Sequence, residues 1–206
     1  MGFEDLDDGE GYTQYGKGDN LYVLPTKIAC DTGSYEGNTY KQLKCEFDAV
    51  PETGGPKGRV PAWISSRITI RGEEHSSHLA TWLLAVEKLE EVLTDLGASE
   101  ELIEAIQNGE KTYKAETDDE NRALQEAVAR HVGGCYVKAG SKFGGSGDDR
   151  YSKVAEFHEG VSKDDFEDAI EEGAGDEEDG DSGDAVDDAS SDDAAASDED
   201  DGEELL

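Results

Sequence analysis

The chain has 206 residues and carries 52 Asp and Glu against 18 Lys and Arg, a formal net charge of -34. No run approaches the 18 or more apolar residues of a membrane span, and the opening Met-Gly-Phe-Glu-Asp-Leu-Asp-Asp lacks the basic and apolar regions of a signal peptide, so a soluble cytoplasmic protein is expected. Cys30, Cys45 and Cys135 are odd in number and widely spaced, which argues for small buried side chains rather than a disulfide framework.

Residues 1–18 mix acidic residues with Gly and Tyr, show no sustained period, and are expected to form a flexible acidic N-terminus. Asn20 to Cys30 is the first strand, interrupted by Pro25, which suits an edge or a bulge better than a central position. After a turn at 31–38, Thr39 to Val50 alternates, with Leu43, Cys45 and Phe47 inward and Tyr40, Gln42 and Lys44 outward. The Gly- and Pro-rich loop 51–58 leads into the third strand, Arg-Val-Pro-Ala-Trp-Ile-Ser-Ser-Arg-Ile-Thr-Ile-Arg at 59–71. Its two faces differ sharply. Val60, Ala62, Ile64, Ser66, Ile68 and Ile70 fall on one side and mostly want burial, whereas the other presents Arg59, Trp63, Arg67 and Arg71. Guanidinium groups and an indole at that spacing suit a phosphate backbone and its bases; a half-exposed strand whose Arg stems cover apolar surface has the same pattern.

After Gly72 the period changes to 3.6. Leu79, Trp82, Leu83, Val86, Leu89, Leu93 and Leu96 share one helical stripe, with Ser76 or Ser77 as N-cap and Gly97 past the end. A shorter helix is predicted from Ser99 to Asn108, and a third from Thr117, where Thr-Asp-Asp-Glu120 has capping-box spacing and Leu124, Ala127 and Val128 point inward. Cys135 to Phe143 alternates again, with Tyr136, Lys138 and Lys142 opposite Cys135, Val137 and Ala139. A turn at 144–149 precedes a fifth strand, Arg150 to Phe157. The tail, 161–206, collapses to Asp, Glu, Ala, Gly and Ser and is expected to be disordered apart from a frayed helix over Ser162 to Ile170. The folded domain is thus placed at 19–160.

Charge is distributed unevenly. Residues 164–206 hold 22 acidic residues and no Lys or Arg, and residues 72–132 hold fifteen acidic against five basic. The sign reverses in residues 39–71, with six basic and three acidic, and in residues 133–153, with four and two. Those two regions also hold Tyr40, Trp63, Tyr136, Phe143 and Tyr151. Aromatic rings interleaved with cations are the footprint of a nucleic-acid-binding face.

Three strands, a helical insertion and two more strands is the element order of the OB-fold, a partly open five-stranded barrel that binds oligonucleotides. With the Arg59 to Arg71 strand and its Trp63, the insertion, and Gly134-Cys-Tyr-Val-Lys-Ala-Gly-Ser-Lys-Phe-Gly-Gly145 leading to Arg150-Tyr-Ser-Lys153, residues 19–160 resemble an OB-fold single-stranded DNA-binding protein of the kind found in tailed viruses and haloarchaea. The acidic, Gly-rich, Lys-poor composition is similarly like that of halophilic proteins. The resemblance implies a mostly β fold, a five-stranded OB-fold-like barrel with helices between strands 3 and 4, and sequence-tolerant binding of single-stranded DNA in replication, recombination or repair. Lys44, Arg59, Arg67, Arg71, Lys138, Lys142, Arg150 and Lys153 are the candidates to track phosphates, and Tyr40, Trp63, Tyr136 and Tyr151 to stack on bases. The tail resembles that of bacterial single-stranded DNA-binding proteins, which dock replication and recombination proteins, but it ends Glu-Glu-Leu-Leu206 where the bacterial pattern ends Pro-Phe. As a tethered polyanion it is also a candidate competitor for the cationic face.

Two other classes stay open. A structural or interaction protein, such as a virion component or DNA mimic, would bury Trp63 in its core. An enzyme is not expected: His75 and His78 lack a Cys-x-x-Cys or His-Glu-x-x-His partner, and Gly-Gly-Ser-Gly147 lacks the Lys and helix of a phosphate loop, so neither metal nor cofactor is expected. Oligomeric state, including a homo-oligomer, is left open.

Overall fold

The computed structural model describes residues 12–72, 75–144 and 151–174. It is mostly β. A five-stranded antiparallel sheet is built from β1 (Asn20–Tyr35), β2 (Asn38–Pro51), β3 (Gly58–Ser65), β6 (Tyr136–Gly144) and β7 (Tyr151–Val161), in the order β3-β2-β1-β6-β7. Between β3 and β6 lie β4 (Arg67–Thr69), α1 (His78–Ala85), α2 (Leu89–Asp95), α3 (Glu100–Gln107), β5 (Thr112–Lys114) and α4 (Asp118–Val132), and α5 (Lys163–Ala174) follows β7. No described helix is long and apolar enough to cross a membrane.

Alternation decides which face is covered. Leu43, Cys45, Phe47 and Ala49 of β2, Val60, Ala62 and Ile64 of β3, and Val137 and Ala139 of β6 are all buried in one core with Leu79, Trp82 and Leu83 of α1. At its centre Trp82 stacks on Phe157 of β7 at 5.1 Å between centroids, and Phe47 meets Trp82 edge-on at 5.4 Å. Aromatic contacts of this kind add to the large apolar area the rings bury. Pro25 sits in the central strand β1, and the register with β2 shifts between Pro25 and Lys27 as a bulge. β6 pairs with β1 only from Asn20 to Val23, so the missing amide of Pro25 breaks no bond of that ladder.

Three elements differ from the sequence expectation. The 59–71 strand is two strands: Ser66 lies between them, buried, with its N–H donating to the carbonyl of Lys41 and its hydroxyl to Asn121 Oδ1, and β4 pairs with β5 in a separate two-stranded sheet. The single helix expected over the stripe from Leu79 to Leu96 is two, because Glu87 takes a left-handed φ of 56° and interrupts it; Leu79, Trp82, Leu83, Leu89, Val92 and Leu93 all reach the core nonetheless. Residues 163–174 form α5, begun by Ser162 and Asp165, whose side chains bond each other's backbone N–H. Phe166 and Ala169 of α5 bury against Val50, Tyr22, Leu24 and Tyr136 on the outer face of the sheet. The expectations for residues 1–11, for the turn at 145–149 and for the tail from 175 on lie outside the described residues.

Among the described residues no ladder joins β3 to β7, so the sheet is not closed by its own strands. The gap is bridged by residues 12–19, a stretch expected to be flexible. The Thr13 N–H donates to the Arg59 carbonyl at 2.8 Å, and the Thr13 carbonyl accepts from the Ser152 N–H at 3.1 Å. Thr13 Oγ1 accepts from the Arg59 N–H, and the Tyr15 N–H donates to Ser152 Oγ at 2.7 Å. The Tyr15 hydroxyl donates towards the Ala49 and Pro56 carbonyls at 2.9 and 3.1 Å, and burial pushes its pKa up to about 12.

Of the three free cysteines, Cys45 is buried, Cys135 is partly buried and Cys30 is exposed, so the expectation of small buried side chains fits Cys45 best.

Candidate nucleic-acid interface

The outward rows of β2 and β3 face each other residue for residue: Gln42 opposite Ser65, Lys44 opposite Trp63, Glu46 opposite Pro61 and Asp48 opposite Arg59. Side chains directly opposite on an antiparallel pair touch. Lys44 is only 7% exposed and holds its Nζ over the Trp63 ring, 5.5 Å from the centroid. A desolvated cation over an indole face is a favourable quadrupole contact, and it fixes the ring against the sheet. Trp63 itself is partly buried and stays outside the core that encloses Trp82.

From Trp63 the aromatic surface continues across the gap between β3 and β7. The Tyr151 ring lies 6.3 Å from Trp63, and Tyr12 lies 5.6 Å from Tyr151. Gly144 is opposite Tyr151 and lets the ring lie flat, since a Cβ there would come within 2.8 Å of it. Two residues further along the same outward row, Lys142 and Lys153 are cross-strand partners. The arrangement is a strip of three rings with an ammonium group at one end and two more cations beside it.

Other candidates lie elsewhere. Arg59 shares the β3 row with Trp63 but has Glu46 at 3.9 Å, and Lys57 pairs with Asp48 at 2.7 Å, so this corner is close to neutral. Tyr40 is 38% exposed and lies over Gly33, four residues from Lys44 and so about 13 Å along β2. Arg67 and Arg71 leave the main sheet: Arg67 is in β4, where its Nε donates to Thr69 Oγ1 at 2.8 Å, and Arg71 follows that strand. Tyr136 packs on Phe166 of α5 at 5.0 Å, and Lys138 binds Glu52 at 2.5 Å. The hydrogen bonds from Lys138 and Asn20 hold the Glu52 carboxyl below its usual range, and the same contact raises Lys138. Tyr136 is therefore engaged by α5 and Lys138 by Glu52, and neither is among the contacts that link the three rings. Arg150 lies outside the described residues.

Tyr12 is the residue that sequence reasoning missed. Nothing periodic marks it, because it reaches the strip through a segment that belongs to neither edge strand. Among the described residues no group of three or more His, Cys, Asp or Glu is placed to hold a metal ion.

No protein-family model, curated protein or solved structure matches this chain.

Proposed function

We propose that this protein binds single-stranded DNA with little sequence preference, on an OB-fold-like barrel. The observation that carries the reading is the continuous strip Lys44, Trp63, Tyr151, with Lys142 and Lys153 alongside. Aromatic faces accept any base, and cations at their margin accept the phosphates between bases. The strand order, three strands followed after the helical insertion by two that return beside β1, supports the barrel, and the bridging of both sheet edges by Thr13 supports its closure. A strip of rings at the sheet surface fits a single strand, whose bases are free to stack, better than a duplex. The acidic composition supports work at high salt, where phosphate contacts fade and stacking carries the affinity. The reading places the protein in replication, recombination or repair.

The deciding experiment is a titration of tryptophan emission with oligo-dT and with a matching duplex, at low and at molar salt. Trp82 is fully buried, so the response reports on Trp63. Quenching by the single strand that persists at molar salt is the expected result. No response to either nucleic acid overturns the reading in favour of a protein-interaction role.

A further inference from the structure

Residues 12–19 do more than fill a gap. Thr13 is hydrogen-bonded to Arg59 on β3 through both its backbone and its hydroxyl, and to Ser152 on β7 through its carbonyl. Tyr15 holds Ser152 through two further bonds, its N–H to Ser152 Oγ and its carbonyl from the same hydroxyl, at 2.7 and 3.1 Å. Further along, the Ser141 N–H donates to the Asp19 carbonyl, and its hydroxyl donates to the Gly16 carbonyl at 2.8 Å. The segment is therefore held on β3, β6 and β7 at once. A Cβ at Gly58 would fall on the Thr13 side chain, so the backbone of β3 is shaped to admit it.

This strap fixes where Tyr12 goes. One residue before Thr13, its ring is placed 5.6 Å from Tyr151 at an interplanar angle of 44°, with Tyr151 in turn 6.3 Å from Trp63. The three rings come from three separate parts of the chain and meet on one surface. We propose that Tyr12 is a third base-stacking residue of the single-strand site, positioned by the strap through Thr13 and Tyr15. The proposal rests on the single-strand reading and deepens it: the site spans the seam of the sheet rather than β2 and β3 alone. Each stacked base contributes on the order of fivefold or more in affinity.

The test uses the full chain and oligo-dT at molar salt, with two readouts. Tyr12→Ala is expected to lose about fivefold or more in affinity, and Tyr12→Phe to bind as the wild type, since the ring and not the hydroxyl stacks. Tyrosine nitration followed by peptide mapping on the wild-type protein is the second readout, and oligo-dT is expected to protect Tyr12 together with Tyr151. This readout does not depend on any variant folding. A wild-type protein that binds while Tyr12 is nitrated equally with and without oligo-dT overturns the proposal and leaves the Trp63 and Tyr151 site standing. Tyr12→Ala binding as tightly as wild type does the same. A wild-type protein that binds no oligonucleotide overturns both readings.

Discussion

Lys44 and Trp63 face each other across β2 and β3, with the ammonium 5.5 Å from the ring centroid, so the most buried cation of the candidate face is spent on orienting the indole at one end of the ring strip. The indole is pre-set before any ligand arrives. A ring that is already held loses less freedom on binding.

It follows that Trp63→Ala should weaken oligo-dT binding at molar salt by about 1–3 kcal/mol, more than Arg59→Ala does under the same conditions. Arg59 already has Glu46 at 3.9 Å, and at molar salt the Debye length is about 3 Å, so its contribution is screened. Titration of both variants at low and molar salt checks this. Equal losses at molar salt would refute it.

Lys138 should be dispensable for DNA and important for stability. Lys138→Ala is expected to leave oligo-dT affinity within about twofold while lowering the melting temperature. Its partner Glu52 has a folded pKa below the unfolded value, so the stability it gives is present above the unfolded pKa, near 4.5, and is lost as pH falls through the folded value. The melting-temperature gap between wild type and Glu52→Gln should therefore be full at pH 7 and shrink on acidification below about 4.5. A gap that is constant from pH 7 to pH 3 would count against the pairing.

Gly58→Ala should destabilise the protein by about 1–3 kcal/mol, because the new methyl meets the Thr13 side chain. Thr13→Gly removes that obstacle. In a double-mutant cycle by chemical denaturation, Gly58→Ala should cost much less in the Thr13→Gly background. Strict additivity would mean that the strap does not press on β3.

Removing residues 175–206 takes away sixteen carboxylates and keeps α5, whose Phe166 and Ala169 are buried against the sheet. Oligo-dT binding should tighten at low salt, where a tethered polyanion competes for the cationic strip, and match the full chain at molar salt. Unchanged affinity at low salt would show that the tail does not visit this face.

The strands were legible because half-burial imposes a period of two that needs no knowledge of partners: the inward sets of β2 and β3 are those the alternation marks. The α4 start was legible for a similar reason, since the Thr117 and Glu120 capping box is a local exchange of hydrogen bonds. Breaks within a phase were not. Ile68 continues the alternation of Ile64, and Leu89 continues the stripe of Leu79, so the interruptions at Ser66 and Glu87 leave the hydrophobic pattern intact. Ser66 breaks the strand through Asn121, 55 residues away, a partner no local window contains. In the site, the pairing of Lys44 with Trp63 follows from strand register, but the engagement of Tyr136 required α5, whose few apolar residues sit in an acidic composition, and that of Lys138 required Glu52, 86 residues away. Tyr12 required a segment with no period at all.

The strap also closes a long loop of chain. The Tyr15 N–H and Ser152 Oγ lie 137 residues apart, and Thr13 takes partners from both β3 and β7. Contacts of such sequence separation close large loops before they return any stabilisation, and they slow folding accordingly. Closing the seam thus carries a large chain-entropy cost, and the three-ring surface, to which Tyr12 comes through Thr13, depends on its being closed.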